Sequence, residues 1–496
     1  MQHGKPCVAD GTNVQPEARE GQAGRHGVAE RLVLPQKPGN AGRGKGPNVV
    51  RNGRLGNLAT PPSVQKLQTA LHAKAKDEPG CRFHALYDKL YREDVLRHAY
   101  QCCRANHGAP GVDEVRFEDI EASGVEPWLG VLAKTLREKT YQPDAIRRVY
   151  IPKPNGKLRP LGIPTIRDRV VQTAMVLVVG PIFEADLPPE QYAYRPERNA
   201  HDAIRQVHSL LNTGHTQVVD ADLAAFYDTI PHAELMKSVA RRIVDRHVLH
   251  LIKMWLEVPV EETDERGRKK RTTRHRDEKR GIPQGSPLSP LLANLYMRRF
   301  VLGWKRKGFE GRLRARIVAY ADDLVICCKG SAAQALEAMR SLMGQIKLTV
   351  NEEKTRVCRV PAETFDFLGY RFGRCYSHTT GRAYLGTRPS KKSIRRVIER
   401  LHAETERRTN PLDTAEIVAR INRLLQGWAA YFCLGPVSKS YHAIDRYTIR
   451  RLRRWLCIKH KMESRGRTRF PDEYFYTRLG LVQLRPLTKL RPWAHA

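Results

Sequence analysis

Two adjacent aspartates, Asp322 and Asp323, interrupt the apolar stretch IVAYADDLVICC at residues 317–328. Runs of four and five β-prone residues around a short polar tip predict a β-hairpin. Burying neighbouring carboxylates without compensation costs several kcal/mol. Divalent cations are the natural compensation, because Mg²⁺ takes carboxylate oxygens and keeps waters and phosphates as its other ligands. A solvated turn that merely uses Asp for its geometry is the alternative. A third carboxylate weighs against it. In TQVVDADLAAFYDTIPH, residues 216–232, a short apolar strand ends at Asp222. An aspartate at a strand end is placed to face a hairpin tip on a neighbouring strand. Two ions about 3.5–4 Å apart need carboxylates from different elements and stabilise both oxygens of a phosphoryl transfer.

Larger elements must position these groups. The chain has 496 residues, enough for two or three domains, and 41% of them are apolar. Its 87 Lys and Arg against 52 Asp and Glu leave a net charge of +35. A balance this basic points to a polyanionic partner, most often nucleic acid. Ten cysteines are scattered without a C-x-x-C pair, so no zinc ribbon is written here. They read as reduced and structural, in a cytoplasmic protein of bacterial type. No signal peptide opens the chain, and the run AMVLVVGPIF from Ala174 is too short to span a bilayer.

Residues 1–62, rich in Gly, Pro, Asn and Arg, read as a flexible basic arm, with a transit peptide as the alternative. Residues 63–385 read as globular, and 145–385 mix helical patterns with short apolar runs, an α+β signature. Within the globular part, 84–104 has helical spacing, ended by the turn residues NHGAPGVD at 106–113. The charged segment 261–280 reads as a solvated loop or hairpin. Residues 386–496 read as all-α. Ile394, Val397, Ile398 and Leu401 form one stripe. Ile417, Val418, Ile421, Leu424 and Leu425 form a second, with Gly427 as its expected C-cap. Tyr441, Ile444, Leu452, Trp455 and Leu456 form a third. From 391 onward, 24 basic residues face 9 acidic ones, an excess of 15.

With these motifs assembled, the chain resembles the reverse transcriptases of the group II intron maturase family. NHGAPGVD resembles the family's N-terminal block and IPKPNGKLRPLGIPTIRDRVVQ, 151–172, its fingers block. QYAYRPERNAHDAI, 191–204, resembles the next block, with Ala193 and Tyr194 where Gly-Phe is usual. DADLAAFYD is similar to the first palm motif and RGIPQGSPLSPLLANLYM, 280–297, to the nucleotide-site motif. YADD resembles the catalytic hairpin, while LTVNEEKT, 348–355, and FDFLGY, 365–370, resemble the lysine-bearing and primer-grip motifs. QGWAAYF, 426–432, is similar to the maturase signature, altered at two positions.

The resemblance implies a right-hand polymerase fold: α+β fingers and palm, then an all-α thumb and maturase domain. It implies extension of a DNA primer on intron RNA from dNTPs, and assistance of splicing through binding structured intron RNA. Asp222, Asp322 and Asp323 are then the catalytic set, holding two Mg²⁺ ions with Mn²⁺ as a possible substitute. Leu223 would add only its carbonyl. Tyr227 would pack under the nucleotide sugar, although a plain core aromatic is the simpler reading of that residue. Gln284 and Gly285 would meet the nucleotide or template, the glycine by letting backbone approach a ligand. Lys153 and Arg159, flanking the PNGKL tip, would clamp triphosphate oxygens. Lys354 is a candidate proton donor to pyrophosphate. Asp228 is expected to cap the next helix. Arg446, Arg450, Arg453 and Arg454 form one helix face suited to an RNA backbone. Trp428 and Tyr431 are expected in the core rather than stacked on bases. No cysteine follows Cys457, so no DNA-cutting HNH domain is expected, and the primer would come from elsewhere, such as a replication fork. A noncatalytic splicing factor and a reverse transcriptase serving a host role such as phage defence stand as alternatives.

Overall fold

A computed structural model describes residues 58–490 apart from 153–155, 157, 265, 378–379 and 464–465. The expected arm thus lies almost wholly outside the described residues. A four-stranded antiparallel sheet organises the palm, in the order Ala315–Tyr320, Asp323–Cys328, Gln217–Asp222, Arg356–Arg359. The predicted hairpin is its first two strands, turned at Ala321 and Asp322, with Ala321 in the left-handed region at φ 57°.

Both faces of this sheet are covered, which explains its near-continuous apolar runs. Val219, Ala221, Ile317, Ala319, Leu324 and Ile326 look into the larger core. That core is crossed by the helix Ile166–Glu184, whose buried side chains surround it on nearly all sides. The alternate residues Val218, Val318, Tyr320, Val325 and Cys327 look the other way. There they meet the helix Ala200–Asn212, held at its start by a reciprocal Asn199–Asp202 capping box.

The fingers carry a second sheet. Strands Ile146–Pro152 and Leu158–Ile163 form the expected hairpin, whose tip includes Lys153 and lies outside the described residues. The charged 261–280 segment supplies a hairpin of its own, Val260–Thr263 with Lys269–Thr272, laid parallel onto the first strand. Its inward Glu261 is only 5% exposed and is neutralised by Lys269 and Arg271. The 84–104 segment forms two helices, Tyr87–Leu90 and Glu93–Ala105, rather than one.

A three-stranded sheet, Phe365–Phe367, Tyr370–Tyr376 and Ala383–Pro389, leads into the helices Lys391–Glu404, Thr414–Tyr431 and Ser438–Lys459. The third stripe packs as expected, with Tyr441, Ile444, Leu452, Trp455 and Leu456 all buried. Gly427 does not cap its helix, which runs four residues further to Tyr431. Trp428 and Tyr431 pack against the core, as expected. The Trp428 ring lies 4.7 Å from Phe432 and 5.8 Å from Tyr441.

Candidate active site

The palm register places Asp222 directly opposite Asp323, and Asp322 sits in the adjoining turn. Cross-strand Cβ atoms in such pairs stand about 4.5–5.5 Å apart, and like charges there destabilise the sheet. Three carboxylates thus gather at one sheet end. A fourth extends the cluster: Asp220, two residues back on the same face, is pushed up to about 6 by burial and by Asp323 and Asp366, against the pull of Arg356.

Lys354 partly offsets this charge. Its Nζ lies 2.8 Å from Asp222 Oδ2, and Asn351 Nδ2 donates to the same oxygen at 3.2 Å. The Asn351 amide also donates to the Asp222 carbonyl at 2.9 Å. Sequence reasoning singled out Lys354 but missed Asn351, three residues before it in the same motif. Among the described residues no three His, Cys, Asp or Glu side chains already surround one point, and Asp222 is engaged by this lysine and amide. The donor set itself, carboxylate oxygens facing an ammonium, suits a hard divalent cation. Leu223 is buried and pairs with Val350 as the chain leaves the strand.

Tyr227 is half-buried in the short helix Phe226–Thr229. Its phenol is pushed up by burial first, then by Tyr194, with which it shares a hydrogen bond, and by the Asp322 charge. The phenol thus feels the charge of Asp322 in the hairpin turn. Tyr194 belongs to a segment laid along the sheet edge, where the Tyr192 amide donates to the Ala319 carbonyl at 3.0 Å.

Gln284 joins fingers to palm. Arg159 Nε donates to its Oε1 at 3.2 Å, and its Nε2 donates to Asp228 at 3.4 Å. Asp228 is thus a partner of Gln284 rather than a helix cap; the next helix, His232–Ala240, follows Pro231 without a side-chain cap. Gly285, at φ 112°, approaches protein backbone instead of leaving room for a ligand. A Cβ there would lie 2.2 Å from the Gly162 carbonyl oxygen. The Gly162 amide in turn donates to the Gln284 carbonyl at 2.6 Å.

On the Ser438–Lys459 helix, Arg446, Arg450 and Arg454 are exposed. Arg453 is not free: Nε donates to the Phe470 carbonyl at 2.8 Å, and its guanidinium pairs with Asp472. It fastens the following segment to the helix.

The Reverse transcriptase (RNA-dependent DNA polymerase) family matches residues 151–372, and the Group II intron, maturase-specific domain matches 394–475. Protein YkfC of Escherichia coli K12 is 35% identical over 369 residues, covering 66% of this chain and 93% of that protein. The chain belongs to the group II intron reverse transcriptase/maturase family. A further relative, the group II intron-encoded protein LtrA of Lactococcus lactis, is 27% identical over 352 residues. That match covers 58% of this chain and 56% of LtrA, so the chain spans little more than half of that relative. A solved telomerase from Candida albicans, bound to a fragment of telomeric RNA, aligns with a TM-score of 0.38 at 13% identity, over 66% of this chain and 62% of that one. The family's polymerase domain uses divalent metals, which agrees with the carboxylate cluster. Among the described residues no helix is long and apolar enough to cross a membrane.

Proposed function

We propose that this reverse transcriptase/maturase extends a DNA primer on an intron RNA template at the site formed by Asp222, Asp322 and Asp323. The carrying observation is the in-register Asp222–Asp323 pair with Asp322 in the turn. A sheet end that carries three carboxylates is a poor structural device and a good place to bind cations. Two bound Mg²⁺ ions, with Mn²⁺ as a substitute, would supply activation of the primer 3′-hydroxyl and neutralisation of the triphosphate. Asp222, Asp322 and Asp323 would hold them, with the Leu223 carbonyl beside them.

The protein's own groups then divide the work. Tyr227, whose phenol feels the Asp322 charge, packs under the incoming sugar and leaves no room for a 2′-hydroxyl. Gln284, fixed by Arg159 and Asp228, orients the nucleotide, and Arg159 with Lys153 meets triphosphate oxygens. Lys354, which pairs with Asp222 in this structure, would serve as proton donor to the departing pyrophosphate. Arg446, Arg450 and Arg454 hold structured intron RNA during splicing. Arg453 supports that face from beneath.

The test is Asp322→Asn. Primer extension on an RNA template should fall by several orders of magnitude, because a charged ligand is lost where charge develops. RNA binding and the melting temperature should stay near those of the wild type. Near-normal extension by a folded variant refutes the assignment.

A further inference from the structure

The arginine face of the C-terminal domain borders a groove of about 720 Å³. That volume falls in the range of sites for compact ligands, about 300–1,000 Å³. Ile398, Ala443 and Tyr447 give it an apolar side, while Arg446, Arg450 and Arg467 stand around it. The Arg450 guanidinium lies over the Tyr447 ring, 5.3 Å from its centroid. The Tyr447 hydroxyl is within 3.4 Å of His402 Nδ1 on the neighbouring helix, which fixes the ring. Asp472, the carboxylate bordering this groove, is already paired with Arg453.

Tracking the backbone of a duplex requires only an outward cationic face. It gives no reason for an apolar recess with a planar cation parked on an aromatic ring. An unpaired nucleotide requires both. Its base loses water against apolar walls and stacks on a ring or guanidinium plane, and its flanking phosphates take arginines.

We propose that this groove receives a single unpaired nucleotide, flipped out of a loop or bulge of the bound RNA, stacked on the Arg450–Tyr447 pair. The inference rests on the RNA-binding reading of this domain, and it adds a preference for single-stranded features over plain duplex.

The probes are an RNA hairpin carrying 2-aminopurine in its loop and the same strand annealed to its complement. Both are titrated against the full-length protein and three variants. Ala443→Phe fills the groove without changing charge, and Tyr447→Ala removes the platform. Arg446→Gln with Arg454→Gln removes charge outside the stack. The groove variants should bind the loop RNA about 5- to 100-fold more weakly, the effect of losing one base stack, and lose its fluorescence quenching. They should bind the duplex as the wild type does. The arginine pair should weaken both RNAs. If Ala443→Phe and Tyr447→Ala leave loop binding unchanged while the arginine pair weakens both RNAs, the groove proposal falls and the RNA-binding face stands. If the arginine pair also changes neither RNA, the RNA-binding reading falls with it, and the groove belongs to a different class of partner.

Discussion

Replacing Gly285 with alanine tests how fingers and palm are joined. The added Cβ would sit 2.2 Å from the Gly162 carbonyl oxygen and 3.0 Å from Leu161 Cδ1. Comfortable contact begins near 3.5 Å, so the turn or the Leu158–Ile163 strand must yield by roughly 1 Å. The backbone at φ 112° is also one that an L side chain resists, at about 1–3 kcal/mol. Displacement endangers the 2.6 Å bond from the Gly162 amide to the Gln284 carbonyl, another ~1 kcal/mol. Together these give about 2–4 kcal/mol, a fall in Tm of roughly 3–6 °C at about 2 cal/mol/K of unfolding entropy per residue over the fingers and palm. Function should fail in a particular way. Gln284 would leave Arg159 and Asp228, so the KM for dNTP should rise more than kcat falls in primer extension run well below the melting point. Gly427→Ala is the control. It lies mid-helix with nothing within 4 Å of its would-be Cβ, and should gain up to about 1 kcal/mol. If Gly285→Ala melts with the wild type and keeps its KM, the turn is not pressed against the fingers strand and the argument fails.

Tyr227→Ala should narrow the ratio of dNTP to rNTP incorporation efficiency and lower Tm by a few degrees; an unchanged ratio in a folded variant returns Tyr227 to a packing role. Replacing Arg446, Arg450 and Arg454 with Gln should flatten the slope of log K against log salt for RNA binding by roughly one for each phosphate no longer neutralised. Extension on a short preformed RNA–DNA duplex should suffer much less, since the palm carboxylates are untouched. Arg453→Gln should instead lower Tm by leaving the Phe470 carbonyl and Asp472 without their partner, with a smaller change in salt slope than any exposed arginine gives.

The sequence made the YADD hairpin readable because β-prone residues flank a two-residue polar tip, and Asp222 readable because it ends an apolar strand. Such features are local. Lys354 meets Asp222 across 132 positions of chain, and no spacing rule announces that pairing. Arg453 looks free on a helical wheel, but its partner Asp472 arrives from a separate helix. Gly427 looks like a helix end because glycine costs about 1 kcal/mol inside a helix. Packing of Ala429, Tyr431 and Phe432 outweighs that cost, so the helix runs through. Gly285 shows the same limit, since its positive φ serves a backbone neighbour more than a hundred residues earlier.

The far end of the maturase-motif helix has a consequence for how this protein can change. Tyr431 donates to the Leu368 carbonyl at 2.8 Å, and its own carbonyl accepts from His201 at 2.6 Å and Tyr370 at 2.5 Å. Its ring packs against the cluster that holds Tyr320, Ala321 and Val325 of the YADD hairpin, and its phenol is pushed up by burial, by Tyr320 and by Asp323. Residues that label the chain as a maturase are therefore also wall material for the polymerase. Mutational drift in QGWAAYF is answerable to DNA synthesis even where no RNA is being spliced. A lineage that abandoned its intron would keep much of the signature, and a thumb transplanted from a relative would have to meet side chains equivalent to His201 and Tyr370 at its Tyr431 carbonyl.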